Sequence, residues 1–245
     1  MNKNIILILG ASSDIGLELI KHINDDSFII AHFNSSDTKL KKLSNNSSLN
    51  NQITTIKADL TDEKQITNML DTIELNYGIP NKIVHLPASK VENIRFKDIQ
   101  WKDFEKDMNI SLKSAILILN RFLPILAREK RGKVVIMLSS YTLGVPPKAL
   151  AHYTTIKYAL LGLVKSLASE YADKNIQINA ISPSMIETKF LGNINQKLIE
   201  LSAFNHPLKR NATVRDVVPI IKMLISHESD FINGINIPIT GGNYF

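Results

Sequence analysis

The chain has 245 residues, 44% hydrophobic and 21% charged, with a formal net charge of +6 and a pI near 9.3. That length supports one sizeable α/β core, and the lack of cysteine excludes disulfides, thiolate nucleophiles and cysteine-held metals. Basic residues cluster only in "KLKK" (Lys39 to Lys42) and "REKR" (Arg128 to Arg131), neither interleaved with aromatics, which favours solvated surface charge over a nucleic-acid site.

The opening "IILIL" (Ile5 to Leu9) is too short for a membrane span and lacks a cleavage pattern, so it reads as a buried first strand of a cytoplasmic protein. Ile15, Leu19 and Ile23 follow at helical spacing. "FIIAHF" (Phe28 to Phe33) and "ITTIKA" (Ile53 to Ala58) read as strands, with the polar stretch Lys42 to Gln52 between them as a surface loop or frayed helix end. Ile66, Met69, Leu70 and Ile73 mark an amphipathic helix, and "KIVHL" (Lys82 to Leu86) a fourth strand. A long helix is predicted over 103–128, with a break near its start. "KVVIML" (Lys133 to Leu138), "IQINAIS" (Ile176 to Ser182) and "INIPI" (Ile235 to Ile239) complete about seven strands, and Val217 to Leu224 marks a late helix. Continuously apolar strands between helices imply a Rossmann-like, doubly wound parallel sheet with helices on both faces, in a single domain spanning 1–245.

Two stretches carry chemistry. "ILGASSDIGLEL" puts a glycine turn between strand and helix: Gly10 permits the tight turn, Gly16 close packing of the helix, and the helix start can face a pyrophosphate. "AHYTTIKYAL" places Tyr153 and Lys157 one helical turn apart. A phenol is a poor acid at neutral pH, and a nearby ammonium is expected to lower its pKa and make it a proton donor to an alkoxide. Ser139 and Ser140 stand at the end of the fifth strand, where doubly wound sheets bind ligands. His22, His32, His85, His152, His206 and His227 show no metal-ligand spacing, no metal is expected, and no Gly-x-Ser-x-Gly elbow occurs.

Gly10, Gly16, Asp59, Asn109, Ser140, Tyr153, Lys157, Pro183 and the closing Gly241-Gly242 follow one order and spacing. Together they resemble the single-domain short-chain dehydrogenases/reductases over essentially the full length, nearest in general to 3-oxoacyl-carrier-protein reductases. The resemblance implies an NAD(P)(H)-dependent oxidoreductase with Ser140, Tyr153, Lys157 and Asn109 as catalytic residues. Ser140 lies thirteen residues before Tyr153, and Ser139 is expected to serve the backbone. Asn109 would hold a water that links Lys157 to solvent. Cofactor contacts are implied at Gly10, Ser12, Ser13, Asp14, Ile15 and Gly16, then at Asn34, Ser35 and Ser36. Asp59, Leu60, Pro87 and Ala88 follow, with Tyr153, Lys157, Pro183, Ile186 and Thr188.

Three departures stand out: Asp14 at the middle glycine of the family's motif, "HLPA" (His85 to Ala88) where Asn-Asn-Ala-Gly is usual, and Ser184 after Pro183. His85 is expected to bond a neighbouring backbone group. No acid stands at the tip of the second strand, while Asn34, Ser35, Ser36 and Lys39 can meet a phosphate, so NADP(H) is favoured over NAD(H). Asp59 is expected to contact adenine and Asp62 to cap a helix.

Residues 189–210 read as a substrate lid, with Pro207, Leu208 and Arg210 at its hinge. The predicted reaction is NADPH-dependent reduction of a 3-oxoacyl-thioester-like carbonyl, small or carrier-linked, with Ala127 to Lys133 as a carrier contact. The alternatives are a sugar or other small ketone, and a non-catalytic dinucleotide-binding protein. The helix from Ala151 to Ala172 is apolar around most of its circumference, which implies a homodimer or homotetramer; Tyr244 and Phe245 are expected at a subunit contact, and no nucleic acid or membrane is expected as partner.

Overall fold

The computed structural model describes residues 4–23, 25–44 and 52–244. Seven strands form one parallel sheet in the order β3-β2-β1-β4-β5-β6-β7. They are β1 (Ile5–Leu9), β2 (Phe28–Phe33), β3 (Gln52–Lys57), β4 (Lys82–His85), β5 (Gly132–Met137), β6 (Ile176–Pro183) and β7 (Asn236–Ile239). The helices are α1 (Asp14–His22), α2 (Thr38–Ser44), α3 (Glu63–Asn76), α4 (Trp101–Asp107), α5 (Ser114–Glu129), α6 (Ala151–Glu170), α7 (Gln196–Asn205) and α8 (Val214–Leu224).

Side chains alternate across a strand, so β1 feeds two cores. Leu7 and Leu9 pack in one core with Ile66 of α3, Phe122 of α5 and Leu160 of α6. Ile6 and Ile8 pack in the other with Ile20 of α1 and Ile221 of α8. Both faces of the sheet are thus covered, as the unbroken apolar runs require. Strand order reverses between β1 and β4, and there the crevice at the carboxyl ends receives the Gly10 turn and the His85–Ala88 segment.

The predicted long helix runs from Trp101 to Glu129, and its break is a π-helical turn, Met108–Lys113, where the Ser114 N–H reaches the Asn109 carbonyl. It is long and apolar enough to cross a membrane, yet its Ile118, Phe122 and Leu126 are buried beneath the sheet. Of Lys42 to Gln52, the described residues finish α2 and open β3; the remainder lies outside the described residues, as does Phe245. Tyr244 packs within its own chain: a Cβ on Gly144 would stand 3.0 Å from its ring.

Candidate active site

The glycine turn is shaped by two close approaches. Gly10 adopts φ +71°, which a side chain would strain. A Cβ on Gly16 would come within 2.6 Å of Ala11 backbone atoms, so only glycine lets α1 lie this near β1. Ser13 caps α1 by accepting from the Gly16 N–H at 3.1 Å. Ser12, Ser13, Asp14 and Ile15 then line a cavity of about 500 Å³, at the positive end of the helix dipole.

Asp14 does more than replace a glycine. Its Oδ2 accepts from the Lys189 N–H at 2.9 Å and its Oδ1 from the Lys39 ammonium at 3.2 Å, which ties the turn to the start of the predicted lid. Those hydrogen bonds hold its carboxyl below the usual range against the opposing effect of partial burial.

At the tip of β2, Asn34, Ser35 and Ser36 are exposed, and Ser35 and Lys39 line the cavity. Asp37 is turned away to Lys41 at 2.9 Å. Asp59 is engaged through one oxygen: its Oδ1 accepts from the Thr61 N–H and hydroxyl at 2.9 and 2.8 Å. Asp62 is the cap of α3, as expected. Leu60 sends its side chain into the core, so only its backbone can meet a ligand. Pro87 packs over the Gly10 turn and Ala88 reaches the cavity.

His85, in the altered "HLPA", bonds a side chain rather than backbone: its Nε2 lies 2.9 Å from the Ser114 hydroxyl. Ser114 itself donates to the Ile110 carbonyl at 2.6 Å, so His85 Nε2 carries the hydrogen. Burial and the nearby Lys157 ammonium drive the His85 pKa down to about 3, so the imidazole is neutral.

Tyr153 and Lys157 meet at the inner end of the same cavity. The Lys157 ammonium sits 5.5 Å from the Tyr153 ring centroid and donates to the Met137 carbonyl at 2.9 Å. Lys157 is buried, and desolvation lowers its pKa to about 8 against the supporting charge of Asp107. The Tyr153 pKa moves opposite to the sequence expectation. Burial raises it, with Tyr141 and Asp107 adding to the rise, and this outweighs the Ser139 hydroxyl hydrogen-bonded to the phenol. A buried anion loses more hydration than a displaced ammonium returns.

The Ser139 hydroxyl works against that rise, and it accepts from the Tyr141 N–H at 3.4 Å. Ser140 lines the cavity beside it. Asn109, in the π-helical turn, is not among the cavity-lining residues. His152 lies behind the site, 3.8 Å from Asp107, edge-on to Phe104.

Pro183, Ile186 and Thr188 line the far wall. Val91, Tyr141 and Met185 lie outside the predicted site residues yet line the cavity, together with Phe190 and Ile194 of the predicted lid, and Tyr141 stands edge-on to Tyr153 at 6.2 Å. Only their neighbourhood to "HLPA", the serine pair and Pro183 could have signalled them. The predicted lid is a 3₁₀ turn (Lys189–Asn193) followed by α7, and its hinge Arg210 grips Asp216 through two bonds of 2.7 and 2.8 Å.

A family profile described as enoyl-(acyl carrier protein) reductase, of the short-chain alcohol dehydrogenase type, matches residues 10–243. The chain is a short-chain dehydrogenase/reductase. Members of this family are NAD(P)-dependent oxidoreductases, and the present chain is one. It is 28% identical over 242 residues to a 3-oxoacyl-[acyl-carrier-protein] reductase, FabG, of Buchnera aphidicola, covering 99% of this chain and 98% of that one. Among solved structures it is similar to ElxO, a Tyr-to-Phe variant with NADPH bound, at TM-score 0.87 and 25% identity over 98% of both chains. The fold also matches a 3-oxoacyl-[acyl-carrier protein] reductase of Brucella melitensis at TM-score 0.89 and 19% identity, covering 100% of this chain and 92% of that one.

Proposed function

We propose that this reductase uses NADPH to reduce the carbonyl of an apolar substrate, with a 3-oxoacyl thioester as the leading class. The observation that carries the reading is the Tyr153 phenol, kept protonated by burial and hydrogen-bonded to Ser139, at the inner end of the cavity that begins at the α1 turn.

The residues present fit a nicotinamide dinucleotide. A strained-glycine turn opens on a helix start, and one continuous cavity joins that start to Tyr153 and Lys157. Ser12, Ser13 and Ile15 would hold the pyrophosphate, and Asn34, Ser35 and Lys39 the ribose phosphate. Asp59 and Leu60 would flank the adenine, Ala88, Tyr153 and Lys157 the nicotinamide ribose, and Pro183, Ile186 and Thr188 the carboxamide. The bound cofactor supplies hydride. Tyr153 and Ser139 hold the carbonyl oxygen from two sides, and Tyr153 gives it a proton as negative charge develops. Lys157, anchored on Met137, places its charge where the phenolate forms. Asp37, turned toward Lys41, leaves no carboxylate at the β2 tip to repel a 2′-phosphate.

Val91, Met185, Phe190 and Ile194 favour an acyl chain or ring over a sugar. Outward residues of α6, including Tyr158 at 46% exposure, support pairing of two copies through this helix. NADPH oxidation against acetoacetyl thioester, cyclic ketones, keto sugars and a crotonyl thioester tests the reading. Turnover of the first two is expected, and Tyr153→Phe should lower kcat by at least a hundredfold. Reduction of the crotonyl thioester alone would refute carbonyl reduction, and unchanged turnover in Tyr153→Phe would refute the proton donor.

A further inference from the structure

His32 lies outside the chemistry above, yet both of its ring nitrogens are engaged beside the cofactor turn. It is 2% exposed at the end of β2. Its Nδ1 accepts from the Gly10 N–H at 3.1 Å, and its Nε2 lies 3.0 Å from the Ala58 carbonyl. An amide can only donate and a carbonyl only accept, so the two partners fix one tautomer: bare Nδ1, hydrogen on Nε2. The backbone repeats the link on both sides, because Ala11 N–H donates to the His32 carbonyl at 2.9 Å and Ala58 N–H to the Phe33 carbonyl at 3.1 Å. One imidazole thus spans the two loops expected to enclose the adenosine half of a dinucleotide: the glycine turn and the start of the Asp59 loop.

We infer that His32 is a positioning residue for dinucleotide binding that works only as the neutral imidazole, clamping the Gly10 turn to Ala58. The inference rests on the dinucleotide reading above. An imidazolium has hydrogen on both nitrogens and cannot accept from Gly10, so a proton on Nδ1 would set two donors face to face and push the turn away from β2. The charged groups that act on His32 are Asp59, whose carboxylate favours the imidazolium, and His85, which is itself neutral. Burial outweighs the Ala58 carbonyl and Asp59, which both favour the imidazolium, and lowers the His32 pKa, which keeps the clamp closed at neutral pH.

The test measures NADPH and NADH dissociation constants from pH 8 to pH 5 by calorimetry, on the parent chain, His32→Asn and His32→Leu. The 2′-phosphate of NADPH titrates in this range, so NADH isolates the protein's contribution. Because burial lowers the His32 pKa, NADH affinity of the parent should hold from pH 8 down through the usual histidine range. Any loss should come only on the acid side of it, reaching about fivefold, the size of one lost hydrogen bond, once the imidazole is protonated. His32→Asn keeps an acceptor for Gly10 and should bind NADH with no such slope, while His32→Leu should bind weakly at every pH. Nitrogen-15 chemical shifts of the ligand-free parent should show hydrogen on Nε2 alone at pH 7, a readout that needs no variant to fold. Hydrogen on Nδ1 at pH 7, NADH binding by His32→Leu as tight as by the parent, or a parent affinity that falls already between pH 8 and the usual histidine range would overturn the clamp. If the parent bound neither dinucleotide, the cofactor reading and the clamp's function would fall together, even with the tautomer as stated.

Discussion

Gly16→Ala is the sharpest test of how this fold builds its cofactor end. The added Cβ would stand 2.6 Å from both the Ala11 Cα and its carbonyl oxygen. Carbon contacts settle near 3.5–4 Å, so α1 must move from β1 by about 1 Å. The opposing atoms are backbone, and trimming Ala11 to glycine removes none of them. Overpacking of this kind costs about 1–3 kcal/mol, or roughly 3–10 °C of melting temperature in a chain of this size. The same movement re-aims the start of α1, so NADPH affinity should fall at least about tenfold, the loss from one or two displaced hydrogen bonds. Thermal melts and calorimetry on Gly16→Ala, Ala11→Gly/Gly16→Ala and Gly192→Ala check this. Gly192 has open space within 4 Å and should tolerate alanine. A Gly16→Ala protein with parental melting temperature and affinity, or full rescue by Ala11→Gly, would refute the reasoning.

Burial lowers the Lys157 pKa to about 8, from the 10.5 usual for lysine. The unfolded chain therefore binds more protons between those values, and stability should rise with pH from about 8 to 10.5. Lys157→Met should flatten that rise in denaturant titrations. Asp14→Gly frees the Lys189 N–H, and trypsin cleavage after Lys189 should accelerate several-fold. An unchanged rate would mean that the bond does not restrain the lid. Asp216 accepts from the Thr213 N–H and hydroxyl at the start of α8 as well as from Arg210. Asp216→Ala should cost about 1 kcal/mol of stability through the lost cap, and should raise KM more than it lowers kcat. Equal melts and an unchanged KM would remove Asp216 from the hinge.

The sheet was legible because its strands are apolar on both faces, a pattern that survives without knowledge of their neighbours. The glycine turn was legible because strand, glycine and helix adjoin in sequence. Counting back from Tyr153 led to Ser140, which lines the cavity, but it did not show that the neighbouring Ser139 hydroxyl also acts on the phenol. The count carries no information about which way successive side chains point. The direction of the Tyr153 shift was missed for a related reason: the ammonium was visible in sequence, and the burial that outweighs it was not. Asp14 and Lys189 are 175 positions apart, beyond any local pattern. The bonds from Thr61 to the Asp59 Oδ1 are a turn geometry, which residue spacing does not display.

The lid begins and ends at one place. Ile186 and Ala212 form a parallel bridge, reinforced where Glu187 N–H donates to the Ala212 carbonyl at 2.9 Å and Ala212 N–H to the Met185 carbonyl at 2.9 Å. The segment between them, a 3₁₀ turn followed by α7, is closed at its neck. Because the entropic cost of closure grows only slowly with loop length, this segment is an exchangeable cassette. A longer or differently lined insert could be set on the same two anchors, and substrate range could change while the strands, the glycine turn and the tyrosine stay where they are.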